Sequence, residues 1–278
     1  MVLLAISAKC MIRLKLTKYK LKDEKEFSFS PFISGSVNVM KKKPNSEELT
    51  FMHADDVKNA TKGLENDVSE TRLPQQAYQI IRLAIRNLYL PPGKMILERE
   101  MAEGLQMSRT PVREALVRLQ TEGLIEVIPR RGFIIKTIAK EDLQEIYEIV
   151  EALDGLAAEI VTTKISDKEL EKLEDLVASQ EETLHEKNLS EWARLDDKFH
   201  TDIITSAGNL RLSSVIETHA DQIFRARLFT IENRPLPFRS IIEHKAILSC
   251  MRAQDKNAAR MLMQSHRKRA RNEILEAL

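Results

Sequence analysis

Apolar residues recur every three to four positions through the C-terminal half of the sequence. This period is typical of amphipathic helices that bury one face. The pattern is interrupted at Gly208–Asn209 and again at 234–237, where helices are expected to end. It predicts an antiparallel all-α helical bundle over 140–278, with helical stretches at 140–164, 167–186, 189–206, 209–230, 238–253 and 255–277.

The pattern differs over 73–139, where three short helical stretches precede two short β-branched runs. The first helix, LPQQAYQIIRLAIRNLYL, is expected to stop at PPG, and ILEREMAEGLQM gives a second. Ser108 suits the N-cap of a third helix, TPVREALVRLQTEG. LIEVIP and GFIIKTI flank Arg130-Arg131-Gly132 as a hairpin. The whole is therefore expected to be a mainly α protein, with an N-terminal winged helix-turn-helix before the bundle.

Residues 1–72 mix charged residues with Ser, Asn and Gly and keep no lasting period. We interpret them as a disordered N-terminal extension. Two alternatives stay open for this segment. Translation could start at Met40 or Met52, or the segment could be a basic arm that touches DNA.

Composition agrees with a helical protein, because there are only 8 Gly and 9 Pro and aromatic residues make up 5%. The net charge of +1 hides a basic stretch over 73–139 and an acidic one over 140–278. A basic stretch suits a polyanion such as DNA. The two cysteines imply no disulfide framework, and no apolar run approaches the length of a membrane span, so we expect a cytoplasmic protein. The GxGxxG, GxxxxGK[ST] and GxSxG patterns are absent from the sequence.

The third helix carries the residues that would read DNA. A recognition helix presents its N-terminal residues to the base edges of the major groove, and arginine pairs well with guanine there. Basic residues in the preceding helix and at the wing tip could reach the backbone and the minor groove. The alternative is that these arginines are solvated surface residues. The candidates are Arg99, Arg109, Thr110, Arg113, Arg131 and Gly132.

The segment PPGKMILEREMAEGLQMSRTPVREALVRLQTEGLIEVIPRRGFII resembles the N-terminal domain of GntR-family bacterial transcription regulators. The resemblance rests on the order PG, ER-x-x-A, SRTPVREAL-x-x-L-x-x-EGL and a wing that ends in RG. It implies that Arg131 occupies the wing-tip position beside the glycine. It also implies that the positions in contact with DNA are Arg99, Arg109, Thr110, Arg113 and Gly132.

Histidines are concentrated in the acidic bundle. Asp196 and His200 are four residues apart and face the same side of a helix, while His244 and His266 lie on two later helices. Imidazoles and a carboxylate on facing helices can converge on one divalent metal. From spacing alone the metal is the weaker interpretation, because a histidine on an apolar stripe is more often a hydrogen-bonded core residue.

Residues 140–275 resemble the FCD ligand-binding domain of the FadR subfamily of GntR regulators. The resemblance implies that Asp196, His200, His244 and His266 bind a metal ion, which could be zinc, nickel or manganese. It also implies a small carboxylate effector on the open positions of that metal.

One departure from the FCD pattern concerns the arginine that clamps the effector carboxylate in many of these domains. Val150 stands at that position, four residues before Asp154. Arg227 is expected to replace the clamp, and His219 on the same helical stripe is expected to line the effector pocket. The alternatives are a surface or dimer contact for Arg227 and a core position for His219.

Together these features predict a bacterial homodimeric transcription regulator that binds an inverted-repeat DNA operator under control of a small-molecule effector. Two alternatives remain at this stage. One is a metal-dependent enzyme with a DNA-binding appendage, and the other is a constitutive dimeric DNA binder without an effector.

Overall fold

The computed structural model describes residues 50–70 and 72–278. The winged helix-turn-helix contains helices α2 (Leu73–Arg86), α3 (Glu98–Gly104) and α4 (Arg109–Thr121). Strands β3 (Ile125–Ile128) and β4 (Gly132–Ile135) form the wing. Ser108 occupies the N-cap position of α4 as predicted, although its side chain makes no capping hydrogen bond.

The sheet contains two strands that the sequence pattern did not predict, β1 (Phe51–Met52) and β2 (Met95–Ile96). The strand order is β1-β2-β4-β3, with β1 parallel to β2 and the other pairs antiparallel. Each of the two strands has only two residues, which is too short to show a strand period. Strand β2 pairs Met95 with Ile134 and so joins the base of the wing to the helices.

Residues 50–70 are folded in the structure, so the predicted disordered extension over 1–72 is wrong for this part. Helix α1 (Ala54–Thr61) and a 3-10 turn (Leu64–Asp67) follow β1. Val57 and Leu64 belong to the same apolar core as α2 and α4. A Cβ on Gly104 would come within 2.6 Å of the Val57 side chain, so glycine permits the close packing of α1 on α3. Residues 1–49 lie outside the described residues, as do Met40 and the basic positions before it.

The bundle contains the six predicted helices with nearly the predicted bounds. They are α5 (Lys140–Thr162), α6 (Asp167–His185), α7 (Leu189–Ser206), α8 (Leu210–Thr230), α9 (Phe238–Arg252) and α10 (Lys256–Ala277). Gly155 on α5 packs directly beside Gln264 of α10, which brings these two helices close together. Within residues 50–70 and 72–278, no helix combines the length and the apolar character needed to cross a membrane.

Candidate DNA interface and metal centre

The N-terminal end of α4 presents an exposed basic surface. Arg109, Thr110 and Arg113 are exposed, and the two arginines lie one turn apart. Glu98 at the start of α3 pairs with both, at 2.9 Å from Arg109 Nε and 3.0 Å from Arg113 Nη2. Hydrogen bonds from Arg113 and Arg109 lower the pKa of Glu98. Glu98 therefore fixes the two guanidinium groups side by side at the end of the helix that would enter the major groove.

The other three predicted DNA contacts lie on α3 and on the wing. Arg99 is exposed on α3 and pairs with the neighbouring Glu100 at 3.1 Å. Arg131 is exposed at the tip of the wing. Gly132 has a φ of 105°, and a Cβ there would lie 2.4 Å from the carbonyl oxygen of Ile96. The wing therefore needs glycine at 132 to pack against β2, a structural reason that the sequence did not reveal.

Asp196, His200, His244 and His266 converge inside the bundle. They come from α7, α9 and α10, and all four side chains are buried. One ligand atom from each lies within 4.8 Å of the others. His244 stacks on Phe199 with ring centroids 4.0 Å apart, which fixes the plane of its ring. The predicted quartet is thus a single buried cluster that could hold a metal ion.

The proton on His244 is placed by a neighbouring glutamine. The Gln180 side-chain amide donates to the carbonyl of Leu195 at 3.0 Å, so its oxygen must face His244. This oxygen lies 2.9 Å from His244 Nδ1, which therefore carries the ring proton. Nε2 of His244 is left with a lone pair that points into the cluster, the form in which a histidine binds a metal.

His266 is held in the same way by Glu243. His266 Nδ1 lies 2.8 Å from Glu243 Oε2 and donates to it. Burial would raise the pKa of Glu243, but hydrogen bonds from His266 and Arg269 outweigh it and lower the pKa to about 2. An ionised Glu243 can only accept, so the neutral His266 ring also points the lone pair of its Nε2 into the cluster.

The nitrogen separations fit one metal ion. His266 Nε2 lies 3.3 Å from His244 Nε2 and 3.2 Å from His200 Nε2. Two nitrogens bound to one ion at about 2.1 Å lie about 3.0 Å apart at a right angle and about 3.4 Å apart at a tetrahedral angle. Lone pairs that face each other at this distance repel unless a cation or a proton lies between them. The donor set and its spacing therefore suit a divalent transition metal.

The third histidine faces a buried ion pair. His200 Nδ1 lies 3.5 Å from Asp154 Oδ2, and the same carboxylate accepts from Arg267 Nε. Asp154 and Arg267 are both almost completely buried. Nδ1 of His244 and of His266 thus has a hydrogen-bond acceptor, whereas Nδ1 of His200 has only the more distant Asp154 carboxylate. All three rings direct Nε2 toward the centre, an arrangement common to histidine ligands of metals.

The charge states also suit metal binding. Burial lowers the pKa of His244 well below its ordinary value. Burial likewise lowers the pKa of His200. Burial would raise the pKa of Asp196, but nearby positive charge, that of Arg227 above all, outweighs it and lowers the pKa. Neutral imidazoles and an ionised carboxylate are the forms that a metal requires.

The two predicted effector residues lie in different surroundings. Arg227 is buried, and its Nη2 lies 3.1 Å from Asp196 Oδ2. His219 is partly exposed two turns earlier on α8, and its Nδ1 has no hydrogen-bond partner in the described part of the chain. The structure therefore brings Arg227 to the cluster and leaves the role of His219 a prediction.

Sequence reasoning missed the residues that orient the ligands. Gln180 interrupts an apolar stripe with Leu173, Val177 and Leu184, and this polar residue on a buried face was the available signal. No comparable pattern in the sequence marks Glu243, because the exposure of its side chain depends on how α9 packs against α10.

Ion pairs also connect the winged helix to the bundle. Arg82 on α2 donates twice to Asp221 of α8, at 2.5 and 3.1 Å. Arg86 lies 3.1 Å from Asp221 and 2.5 Å from Asp197 of α7. The Arg86 guanidinium also stacks over the ring of Phe224, 3.7 Å from its centroid. These partly buried pairs fix α2 against the two helices that carry Asp196 and Arg227.

Comparison with known proteins gives the same two-part division. Residues 73–135 match the family of bacterial regulatory proteins named gntR, and residues 145–269 match the FCD domain. The chain is 37% identical to an HTH-type transcriptional regulator of Agrobacterium vitis over 51% of this chain and 85% of the relative. It is 30% identical to the HTH-type regulator YdhC of Bacillus subtilis (strain 168), over 69% and 86% of the two chains. Its fold is similar to that of McbR/YncC of Escherichia coli, with a TM-score of 0.66 at 21% identity, over 74% of this chain and 99% of that one. This chain is therefore a DNA-binding transcription regulator that belongs to the GntR family and carries a C-terminal FCD domain.

Proposed function

We propose that two copies of this chain form a homodimer that binds an inverted-repeat operator under metal and effector control. Two-fold symmetry of a dimer matches two-fold symmetry of its operator. Zinc, nickel or manganese would bind at Asp196, His200, His244 and His266. Four protein ligands leave open positions on an octahedral ion, where a small carboxylate effector would bind near Arg227.

A continuous ion-pair network carries the proposal of effector control. Arg227 lies 3.1 Å from the metal ligand Asp196 and 3.7 Å from the adjacent Asp197. Asp197 pairs in turn with Arg86 on the winged helix. A change in charge at Asp196 would alter its electrostatic attraction for Arg227. The attraction between Arg227 and Asp197 would then change as well, and with it the ion pair that holds α2. This network favours effector control over a constitutive DNA binder.

Control requires a difference between two states. A ligand shifts an equilibrium only if it binds the two arrangements of the heads with different affinity. Because Arg227 contacts both the metal ligand and the carboxylate that holds α2, it is the group through which such a difference would act. The chain acts on DNA in this proposal, so we place it in the bacterial cytoplasm.

The Arg109→Ala variant is expected to lose discrimination between operator and scrambled DNA by about 1–3 kcal/mol, because a bidentate arginine–guanine pair is worth this much. The measurement is the ratio of the two dissociation constants at one salt concentration. Arg194→Ala, which removes an exposed arginine of the bundle, is the matched control. An unchanged ratio in Arg109→Ala would remove this residue from the set of base readers.

The Arg86→Gln variant tests the link between metal and DNA. Coupling between two sites of this kind is typically about 5–150-fold in affinity. We expect the operator affinity of the wild-type chain to change within this range on chelation of zinc, and that of Arg86→Gln to change by less than about 3-fold. The operator would be obtained by selection from random duplexes.

Arg118→Gln is the control for this experiment. Arg118 also stacks on an aromatic ring, that of Tyr78, at 3.6 Å from its centroid. Its partner Glu122 lies within the winged helix, so the variant should keep the full zinc effect. A full effect in Arg86→Gln as well would show that the ion-pair network does not couple the two domains.

A further inference from the structure

Several buried donors beside the metal ligands have no hydrogen-bond partner within residues 50–70 and 72–278. They are the hydroxyl of Tyr147, Nη1 of Arg227, Nε and Nη2 of Arg234, and Nη1 of Arg267. Buried polar groups are almost always satisfied, and an unsatisfied one costs stability. Asp154, whose Oδ1 also lacks a partner, pairs with Arg267, so the unpartnered donors of Tyr147, Arg227 and Arg234 are the ones that indicate a missing hydrogen-bond acceptor.

The side chains of Tyr147, Arg227 and Arg234 are deeply enclosed. Tyr147 is fully buried on α5, and the Arg227 and Arg234 side chains are 6% and 5% exposed. The nearest carboxylate to Arg234, that of Glu273, is 4.0 Å away, which is too far for a hydrogen bond. Burial lowers the pKa of Arg234, and the charge of Arg227 lowers it further.

Arg227 and Arg267 each pair with a buried carboxylate, Asp196 and Asp154. The Arg234 side chain is also buried, but its Nε and Nη2 have no acceptor among the described residues. A divalent ion on Asp196 would add two more positive charges. Buried charges need compensation, so the site calls for a ligand with more than one negative charge.

We propose that Tyr147, Arg227 and Arg234 form an anion subsite next to the metal ligands, and that the effector is a dianion. One carboxylate of the effector would bind at the metal, and a second anionic group, a carboxylate or a phosphate, would accept from these three side chains. The inference rests on the proposed metal-dependent effector control. It also explains how the chain can have Val150 at the position of the usual arginine clamp, since Tyr147 and Arg234 supply the hydrogen-bond donors instead.

The test compares monoanions with dianions on the zinc-loaded full chain by titration calorimetry. Acetate and glycolate are the monoanionic probes, and succinate, malate and phosphonoacetate are the dianionic ones. We expect at least one dianion to bind about 10-fold or more tightly than either monoanion, because each added charge-assisted hydrogen bond strengthens binding. Tighter binding of succinate or malate would indicate a second carboxylate, and tighter binding of phosphonoacetate a phosphate. Dianions that bind no better than monoanions, or no binding by any of them, would overturn the inference.

Two variants assign the preference to the subsite. Tyr147→Phe removes only the unpartnered hydroxyl, so the ligand-free protein should lose no stability, while affinity for the dianion should fall about 10-fold. Arg234→Gln should lower that affinity by about 10–100-fold and leave the monoanions unchanged. Arg260→Gln, on the exposed side of α10, should change neither.

The zinc-induced change in operator affinity is measured in the same samples. If it persists while both variants bind dianions as the wild-type chain does, the subsite is refuted and the proposed metal control stands. If zinc itself has no effect on the wild-type chain, the proposed function fails instead.

Discussion

Replacement of Arg267 with methionine is expected to lower the free energy of unfolding by about 3–5 kcal/mol, as is typical when one partner of a buried ion pair is removed. Arg267 is 3% exposed, and its Nε donates to Asp154, which is 1% exposed. Methionine fills a similar volume but leaves the Asp154 carboxylate buried without its cation. Urea unfolding at neutral pH would measure the loss.

Arg260→Met is a matched control, because Arg260 also lies on α10 and also pairs with an acid of α5, Glu159, at 2.7 Å. That pair is exposed to solvent, so the loss should be much smaller. The double variant Arg267→Met/Asp154→Leu should regain most of the stability, since an apolar pair can replace a buried ion pair. It should nevertheless bind metal about 10–100-fold more weakly, because His200 loses the carboxylate beside its Nδ1. Equal losses in Arg267→Met and Arg260→Met would contradict the assigned role.

The helices were predictable because each buries a regular apolar face. The six bundle helices carry a 3.6-residue period that survives in the structure, and the two wing strands coincide with the two β-branched runs. Helix α1 was missed for a physical reason. Its sequence ADDVKNAT has one fully buried apolar residue, Val57, whose burial depends on the missing Cβ of Gly104 nearly fifty residues later. Such a tertiary contact overrides local polarity and leaves no local signal.

The metal ligands were predictable because a family resemblance supplied the positions and helix geometry placed Asp196 and His200 on one face. The residues that orient these ligands, Gln180 and Glu243, were not predictable. They act through contacts between helices, and the sequence does not show which helices are neighbours. The donors Tyr147 and Arg234 belong to the same class. In the sequence, Tyr147 has the position of an ordinary aromatic core residue. Arg234 follows α8 at a break in the apolar pattern, which predicts only a turn. Only the structure shows that the Tyr147 hydroxyl and the Arg234 guanidinium are buried without acceptors for these donors among the described residues.

Removal of the metal should have the second large effect on stability. Zinc at about 1000 times its dissociation constant should stabilise the native chain by about 4 kcal/mol relative to chelator-stripped protein, because it binds the folded cluster alone. For a domain of this size that corresponds to a rise in Tm of roughly 10 °C. Differential scanning calorimetry of the full chain, stripped and then reloaded with zinc, nickel or manganese, would measure it. The metal with the largest rise is the preferred ion.

For each variant, comparison of the chelator-stripped and metal-loaded forms separates a loss of metal binding from a loss of packing. His244→Ala leaves a cavity and lowers Tm in the stripped state, but its metal-induced rise should vanish because a ligand is gone. Gln180→Leu keeps His244 and only removes the acceptor of its Nδ1 proton at 2.9 Å. The ring can then place its proton on Nε2, so metal affinity should fall about 10–100-fold while binding persists at higher metal concentration. A full rise in His244→Ala would mean that the metal binds elsewhere and that the four residues are a structural core cluster, with a proton rather than a metal between their facing nitrogens.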